Sequence, residues 1–446
     1  MVQYKHIAHI ALFLCMAILS CSTSKSPVIE LNPKEAVIDE AVNVRIINCP
    51  DETQIKLRAS MFDDDSVKWV SENIYEPKNG IVDLTSISPT AGSYSSIDAM
   101  GFIWSMKPDP YKSIQFSSKY LTPLKIQIEA YINDTLVTST DITRLRIKAD
   151  VQRTEIREDG LVGTLFVPKG ADPKPAVIDL TGSGGGMSES RAALLASHGY
   201  ISLALAFFGI ESLPETLTNI PLEYFEKAIR FLQKHERVDE DRIGVIGGSR
   251  GGELSLLLGS TYPEIKCVIG YVPSIYRCPG AEGPAWTLNG IPLPFVSSTG
   301  DEKIIADIQK SIAAGEATSF LPMFNSIIND LEAIKGTEIP IENINGNILL
   351  ISGQDDQLWP STRMSEIAIE RLTAKSFEFE YMHLSYPNAG HHIGTPFKPT
   401  SISEAKHPVN GVLMKLGGSP EGNAYAGMDS WQQVLKFLYE SFQFDQ

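Results

Sequence analysis

Two rhythms of apolar and polar positions divide the chain. From residue 26 to 149 the apolar positions alternate with polar ones in short runs, among them VIELNP, AVNVRIINC, QIKLRASMFD, LKIQIEAYIND and LVTSTDITRLRIKA. Pro, Asn, Asp or Gly separates these runs. A period of two sends successive side chains to opposite faces of a strand, so 26–149 is predicted as an all-β sandwich. From residue 150 the rhythm changes. LVGTLFVP, PAVIDLTG, YISLALAFFG, RIGVIGG, IKCVIGYV, GNILLISG and FEFEYMHLSYP read as strands. Between and after them SESRAALLASHG, PLEYFEKAIRFLQKHE, SEIAIERLTA and DSWQQVLKFLYESF read as helices, the second with Leu222, Phe225, Ile229 and Leu232 on one face. Strand alternating with helix predicts a mostly parallel sheet covered on both faces over 150–446. A Gly-, Pro- and Ser-rich stretch from about Pro279 to Asn345, with one helical patch, interrupts the alternation and reads as a lid or a substrate-shaping insertion.

The length of 446 residues agrees with two domains. A formal charge of −16 argues against a nucleic-acid partner, since phosphate binding requires excess Lys and Arg. Residues 1–21 read as a targeting segment: Lys5, an apolar run from Ile7 to Leu19, then small residues around Cys21. AILSC is similar to a bacterial lipobox, in which Cys21 is lipidated; the alternative is an ordinary secretory signal. The apolar run falls short of the ~20 residues that span a bilayer. These features predict an exported protein, lipid-anchored to a bacterial membrane on its periplasmic or outer face. With Cys15 cleaved away and Cys21 lipidated, Cys49, Cys267 and Cys278 remain. Either Cys267 and Cys278 are bridged, or all three are buried thiols. No Cys pair has CxxC spacing, and no His/Cys cluster suggests zinc, so neither metal nor cofactor is expected.

The chemistry concentrates in RIGVIGGSRGGELSLLLG, residues 242–259. Gly247-Gly248-Ser249-Arg250-Gly251 fits G-x-S-x-G between a predicted strand and a predicted helix, the context of a nucleophile elbow. Small neighbours let strand and helix backbones crowd around the turn, and the helix N-terminus favours negative charge developing near Ser249. An elbow Ser in an α/β hydrolase requires an acid and then a base later in the chain. LLISGQDDQLWP offers Asp355 and Asp356. In hydrolases of this architecture the acid commonly follows a Gly by three and precedes a Pro by four, which selects Asp356 and leaves Asp355 as a turn or capping residue. YPNAGHHIGTP offers the base, His391, directly after Ala-Gly; His392 diverges from it as a surface or supporting residue. His198 and His235 end helices, and His383 lies inside a strand. For the oxyanion hole, the amide of Arg250 pairs with that of Ser183 or Gly184 in DLTGSGGGMSES. A dinucleotide fingerprint in that loop fails, because the last glycine of G-x-G-x-x-G falls on Met187.

Several segments carry a more specific resemblance: GSYSSIDAMGFIWSMKP, VGTLFVP, VIDLTGSGGG, LEYFEKA, IGVIGGSRGGELSL, GQDDQLW, YPNAGHHI and GGSPEGNAYAGMDSWQQVLKFL. On these the chain resembles the bile acid-CoA:amino acid N-acyltransferase and type I acyl-CoA thioesterase family over nearly everything after the signal segment. The resemblance implies an immunoglobulin-like N-terminal sandwich joined to an α/β-hydrolase domain, with nucleophile Ser249, acid Asp356 and base His391. Family members with Cys at the elbow transfer acyl groups to glycine or taurine, and those with Ser mostly hydrolyse acyl-CoA. Ser249 thus points to hydrolysis. The family's usual Lys after the nucleophile is Arg250 here.

The reading that follows is a serine acyl-hydrolase that cleaves acyl thioesters to free acid and thiol through an acyl-enzyme. Its small-molecule substrate is an acyl thioester or ester. The alternatives are an exported carboxylesterase or peptidase, an acyl-CoA:amino acid N-acyltransferase, and a non-catalytic surface lipoprotein. Export adds weight to leaving groups other than CoA, which is a cytosolic carrier.

Overall fold

Along Leu124–Ile132 the residues Leu124, Ile126, Ile128 and Ala130 are buried, while Lys125 and Gln127 between them are exposed. The period-two pattern thus gives a strand with one wet face. The computed structural model describes residues 25–112, 114–297 and 300–443. Cys21 and the apolar segment before it lie outside the described residues.

In the N-terminal part that strand lies between Thr135–Leu145 and Ile55–Phe62, both antiparallel to it, in a seven-stranded sheet. A three-stranded sheet of Val28–Asn32, Asn43–Ile47 and Val82–Asp83 shares its core, in which Val44, Ile46 and Val82 join Leu57, Ile126 and Ile128. Two sheets around one apolar core form the predicted sandwich.

One strand here has no clear apolar alternation. Lys68–Tyr75 buries Trp69, Ser71, Asn73 and Tyr75, so two of its four inward positions are polar. Each finds a partner: Ser71 Oγ donates to the Phe102 carbonyl at 2.6 Å, and Asn73 Oδ1 accepts the Ser93 amide at 2.9 Å. A single helical turn, Gly101–Trp104, follows from GFIW and is wholly buried.

The large sheet of the C-terminal part has eight strands: β1 (Val151–Ile156), β2 (Val162–Pro168), β3 (Lys174–Leu180), β4 (Ile201–Ala206), β5 (Val238–Gly248), β6 (Ile265–Tyr271), β7 (Asn347–Gly353) and β8 (Tyr381–Tyr386). Their spatial order is β1-β2-β4-β3-β5-β6-β7-β8; β2 is antiparallel to both of its neighbours, β1 and β4, and the remaining pairs are parallel. Neighbouring strand residues point to opposite layers. Ile178, Val245, Val268 and Leu350 meet Phe225 and Ile229 of α2 (Glu223–Lys234) and Leu254 of α3 (Arg250–Thr261). Val177, Ile246, Ile269 and Leu349 meet Leu194 of α1 (Glu189–Ser197) and Val434 of α5 (Pro420–Gln443). Helix α4 (Ser361–Ala374) adds Leu372 to the first layer. Burial on both faces explains why these strands read as continuous apolar runs.

The last helix begins at Pro420, well before the DSWQQ segment expected to open it. Gly422 and Gly427 hide its first turns from a periodicity reading. Both serve close approach, since a Cβ on Gly422 would clash with the Asn388 carbonyl and one on Gly427 would lie 3.1 Å from the Gly394 oxygen. Asn388 to Gly394 is the loop that carries His391.

The expected lid is built otherwise. The segment after Pro279 contains Trp286–Leu288 paired with Ile291–Pro292, and the helices Glu302–Ala313, Leu321–Ile328 and Leu331–Ile334. Its amides at Phe320 and Leu321 donate to the Gln357 carbonyl, and Phe324 packs edge-on against Trp359. It braces the loop after β7. The bridge between Cys267 and Cys278 does not form: Cys49, Cys267 and Cys278 are free and buried. Cys267 lies within β6 and Cys278 beyond its end, beside Ser274, and burial pushes both thiols up to about 12. Among the described residues no helix is long and apolar enough to cross a membrane.

Candidate active site

Ser249 occupies the single residue between β5 and α3, with φ +57° and ψ −119°. A non-glycine residue in that region is strained, and such strain gathers at functional turns. The surrounding structure holds it there: the Ser249 amide donates to the Tyr271 carbonyl at 2.8 Å, and its carbonyl accepts from Glu253 at 3.0 Å. The two motif glycines are steric necessities, since a Cβ on Gly247 would strike the Gly251 carbonyl and one on Gly251 the carbonyl of Thr181.

The other two expected residues converge on this hydroxyl. His391 Nε2 stands 2.9 Å from Ser249 Oγ. On the far side of the ring, Nδ1 lies 2.9 and 3.1 Å from the two carboxylate oxygens of Asp356. Asp356 is 2% exposed, yet its carboxylate is well supplied with donors. The amides of Leu358 and Trp359 donate to Oδ1 at 2.9 and 3.2 Å, and Ser361 Oγ donates to Oδ2 at 2.7 Å. Such bonds fix the direction of the carboxylate. Trp359 packs edge-on against the His391 ring, and the His391 amide donates to the Leu416 carbonyl at 2.8 Å.

Asp355 is exposed and faces away. Its oxygens accept from the Gly418 amide at 2.8 Å and from Gln357 Nε2 at 2.6 Å, the turn role expected of it. His392 opens on the cleft beside the site, where its Nδ1 accepts from Gln115 Nε2 at 2.7 Å. Crowding by the surrounding protein and the charge of Lys398 hold its pKa down to about 4. His383 bonds Ser352 Oγ at 2.7 Å within the sheet, away from Ser249.

For the oxyanion hole, Ser183 and Gly184 both line the cleft in front of Ser249. The neighbouring amides of Gly185 and Gly186 are taken by the carbonyls of Gly182 and Phe208, whereas those of Ser183 and Gly184 have no backbone acceptor among the described residues. Gly182 brings this loop against the elbow, a Cβ there lying 3.4 Å from Ser249 Cβ and 3.9 Å from the Arg250 amide. That amide opens helix α3 and has no partner within the helix. The Arg250 side chain points elsewhere: its guanidinium pairs with buried Glu253 at 2.8 Å and donates to the Cys278 carbonyl at 3.0 Å. Only its main chain belongs to the site.

The cleft has a volume of about 450 Å³. It receives contributions no motif announced. A hairpin of Glu404–Lys406 and Leu413–Lys415 supplies Lys406, Pro408 and Met414. His407 Nε2 lies 3.0 Å from Ser183 Oγ, so this hairpin fixes the glycine-rich loop. Gln115 and Ser118 reach in from the sandwich domain, and Lys398 from the loop after His391. The insertion after Pro279 adds no lining residue among those described. Among the described residues no group of three or more His, Cys, Asp or Glu is placed to hold a metal ion.

Two family models cover this architecture. Residues 39–158 match the acyl-CoA thioester hydrolase/BAAT N-terminal region, and 220–443 match the BAAT/acyl-CoA thioester hydrolase C-terminal domain. The chain belongs to the acyl-CoA thioester hydrolase/BAAT family. Its similarity to curated members of that family runs almost end to end. The chain is 30% identical to acyl-coenzyme A amino acid N-acyltransferase 1 of Mus musculus, over 91% of this chain and 95% of that one. It is 30% identical to acyl-coenzyme A thioesterase 6 of Homo sapiens and 29% identical to the peroxisomal succinyl-coenzyme A thioesterase of Mus musculus, each over 90% of this chain and 93% of the relative. Hydrolases and acyltransferases of this family are thus both among its relatives, and the elbow residue here is Ser249.

Proposed function

We propose that this family member is a serine acyl-hydrolase that cleaves acyl thioesters through Ser249, His391 and Asp356. The observation that carries the reading is the 2.9 Å approach of His391 Nε2 to Ser249 Oγ, with Asp356 on the opposite ring nitrogen. The Ser249 oxygen attacks the acyl carbon as its proton passes to His391 Nε2. Asp356 keeps the imidazole in the tautomer with Nδ1–H and stabilises the imidazolium. The amides of Arg250 and of Ser183 or Gly184 receive the oxyanion. Collapse breaks the carbon–sulfur bond, and the thiolate takes the proton from His391. A water, deprotonated by the same imidazole, then attacks the acyl-Ser249 ester and restores the hydroxyl.

A serine ester is a poorer target for amines than a cysteine thioester, so Ser249 favours water over an amino-acid acceptor. Export and lipidation at Cys21 belong to the same proposal and rest on the N-terminal sequence alone. In an exported enzyme, esters and thioesters other than acyl-CoA join the substrate class.

The test is turnover of a panel of acyl-CoA donors and simple esters, with and without glycine or taurine, by the parent and Ser249→Ala. Loss of ~10³- to 10⁶-fold in the variant, with free acid as the main product of the parent, is the expected result. A variant that keeps half its activity removes Ser249 from the mechanism. Predominant amino-acid conjugates would make the protein a transferase. Resistance of the parent protein to fluorophosphonate labelling would support the non-catalytic reading.

A further inference from the structure

The cleft in front of Ser249 is lined by positively charged side chains. Arg191, Lys398 and Lys406 line it, and no aspartate or glutamate does among the described residues, although the whole chain has a formal charge of −16. These cations differ in their surroundings. Arg191 is neutralised from beneath, its Nε donating at 3.0 Å to buried Asp179. Lys406 sits exposed at the rim. Lys398 is half-buried, and no salt bridge among the described residues includes it. The charges that act on it most are Arg191 and Arg146, both cations, the latter paired with Asp64 at 2.6 Å. Burial and those neighbours bring its pKa down to about 8, which still leaves it an ammonium at neutral pH. A half-buried charge with no ion-pair partner among the described residues is costly unless an anion visits it.

The groups around Lys398 suit such a visitor. Because His392 Nδ1 accepts from Gln115, the ring proton sits on Nε2 and is available to donate. Ser118 and Ser188 also line the cleft.

We propose that Lys398, with His392 oriented by Gln115, forms a subsite for an anionic group of the acyl donor, a carboxylate or a phosphate, and that this subsite selects charged donors. The proposal rests on the hydrolase reading for the identity of the donor, and the experiment separates the two.

Four thioesters of one chain length form the test: valeryl-CoA, glutaryl-CoA, valeryl-pantetheine and glutaryl-pantetheine. For the parent, kcat/KM is expected to be higher for donors that carry the anion. Lys398→Met should cut that preference about tenfold to a hundredfold, the usual scale for losing a charged hydrogen bond, while Lys398→Arg should retain most of it. A cut in the glutaryl-over-valeryl ratio within the pantetheine pair assigns the subsite to a carboxylate on the acyl portion. A cut in the CoA-over-pantetheine ratio within the valeryl pair assigns it to a phosphate on the leaving group. Equal ratios in parent and Lys398→Met would overturn the subsite.

If the parent turns over none of the four, the thioesterase reading fails and the subsite is decided by labelling instead. Glutarate or inorganic phosphate should then slow fluorophosphonate labelling of Ser249 in the parent and not in Lys398→Met. Absence of protection in the parent, or equal protection in both, would overturn it.

Discussion

Asn423 Oδ1 accepts the amide proton of Gly390 at 2.8 Å, tying the first turn of helix α5 to the residue before His391, the proposed base. Its Nδ2 donates to the Gly417 carbonyl at 3.3 Å, and Asn423 is 5% exposed. This one amide therefore spans two loops that must meet for His391 to reach Ser249. Replacement by Ala would leave the Gly390 amide buried without an acceptor, a cost of ~1–3 kcal/mol. Asn423→Ala should lower kcat about tenfold with a smaller change in KM, and thermal unfolding should begin a few degrees earlier. Steady-state kinetics on the folded variant provide the check, and an unchanged kcat would show that the His391 loop is held by other contacts.

The two adjacent aspartates give a sharper contrast. Asp356→Asn places an amide against His391 Nδ1, which favours the wrong ring tautomer, and a loss in kcat of ~10⁴ is expected. Asp355 accepts only from Gly418 and Gln357 on the exposed side of the turn, so Asp355→Asn should stay within a few-fold of the parent. The reverse ranking of these two variants would transfer the acid role to Asp355.

The lowered pKa of His392 has a consequence for stability. The folded chain holds this imidazole neutral down to about 4, whereas in the unfolded chain it takes a proton near its ordinary pKa of ~6.5. Between these values the unfolded state binds the extra proton, so stability is lost as pH falls from about 6.5 toward 4. In His392→Asn, whose side chain can still accept from Gln115, that contribution disappears. Melting curves over this range should be less pH-dependent in the variant than in the parent; parallel curves would refute the assignment.

Lipidation of Cys21 is tested in a bacterial host. The parent should fractionate with membranes and incorporate labelled palmitate, and Cys21→Ala should lose the label. Several acyl chains at ~0.8 kcal/mol per buried CH₂ suffice for stable anchoring. An acidic chain of formal charge −16 would gain nothing from anionic lipid headgroups alone. Recovery of the parent in the cytosol with its first residues intact would dismiss export and favour acyl-CoA as substrate.

Some of this protein is written locally. The turn at Ser249 demands small neighbours, and Gly247 and Gly251 are spaced accordingly, so the elbow can be read from a handful of residues. The doubly covered strands reveal themselves as apolar runs, and chain order narrows the acid to Asp355 or Asp356 and the base to the His391 loop. Where an inward position is polar the local signal vanishes: Ser71 and Asn73 conceal a strand because their partners, Phe102 and Ser93, lie far along the chain. Helix α5 loses its first turns to glycines whose purpose is contact with Asn388 and Gly394.

What only the tertiary structure decided is the surroundings of the chemistry. Ser249 and His391 are 142 positions apart, and His391 and Asp356 are 35 apart; sequence order says they can meet, and the stacking of β5, β7 and β8 brings them within hydrogen-bond reach. Gln115, Lys398 and the Glu404–Lys406 hairpin come to the cleft from three loops without regular periodicity. Periodicity and turn sterics arise between near neighbours, so sequence alone marks the elements and the turn at Ser249. A cleft is the space left between distant loops, and its shape and charge exist only once those loops are packed together.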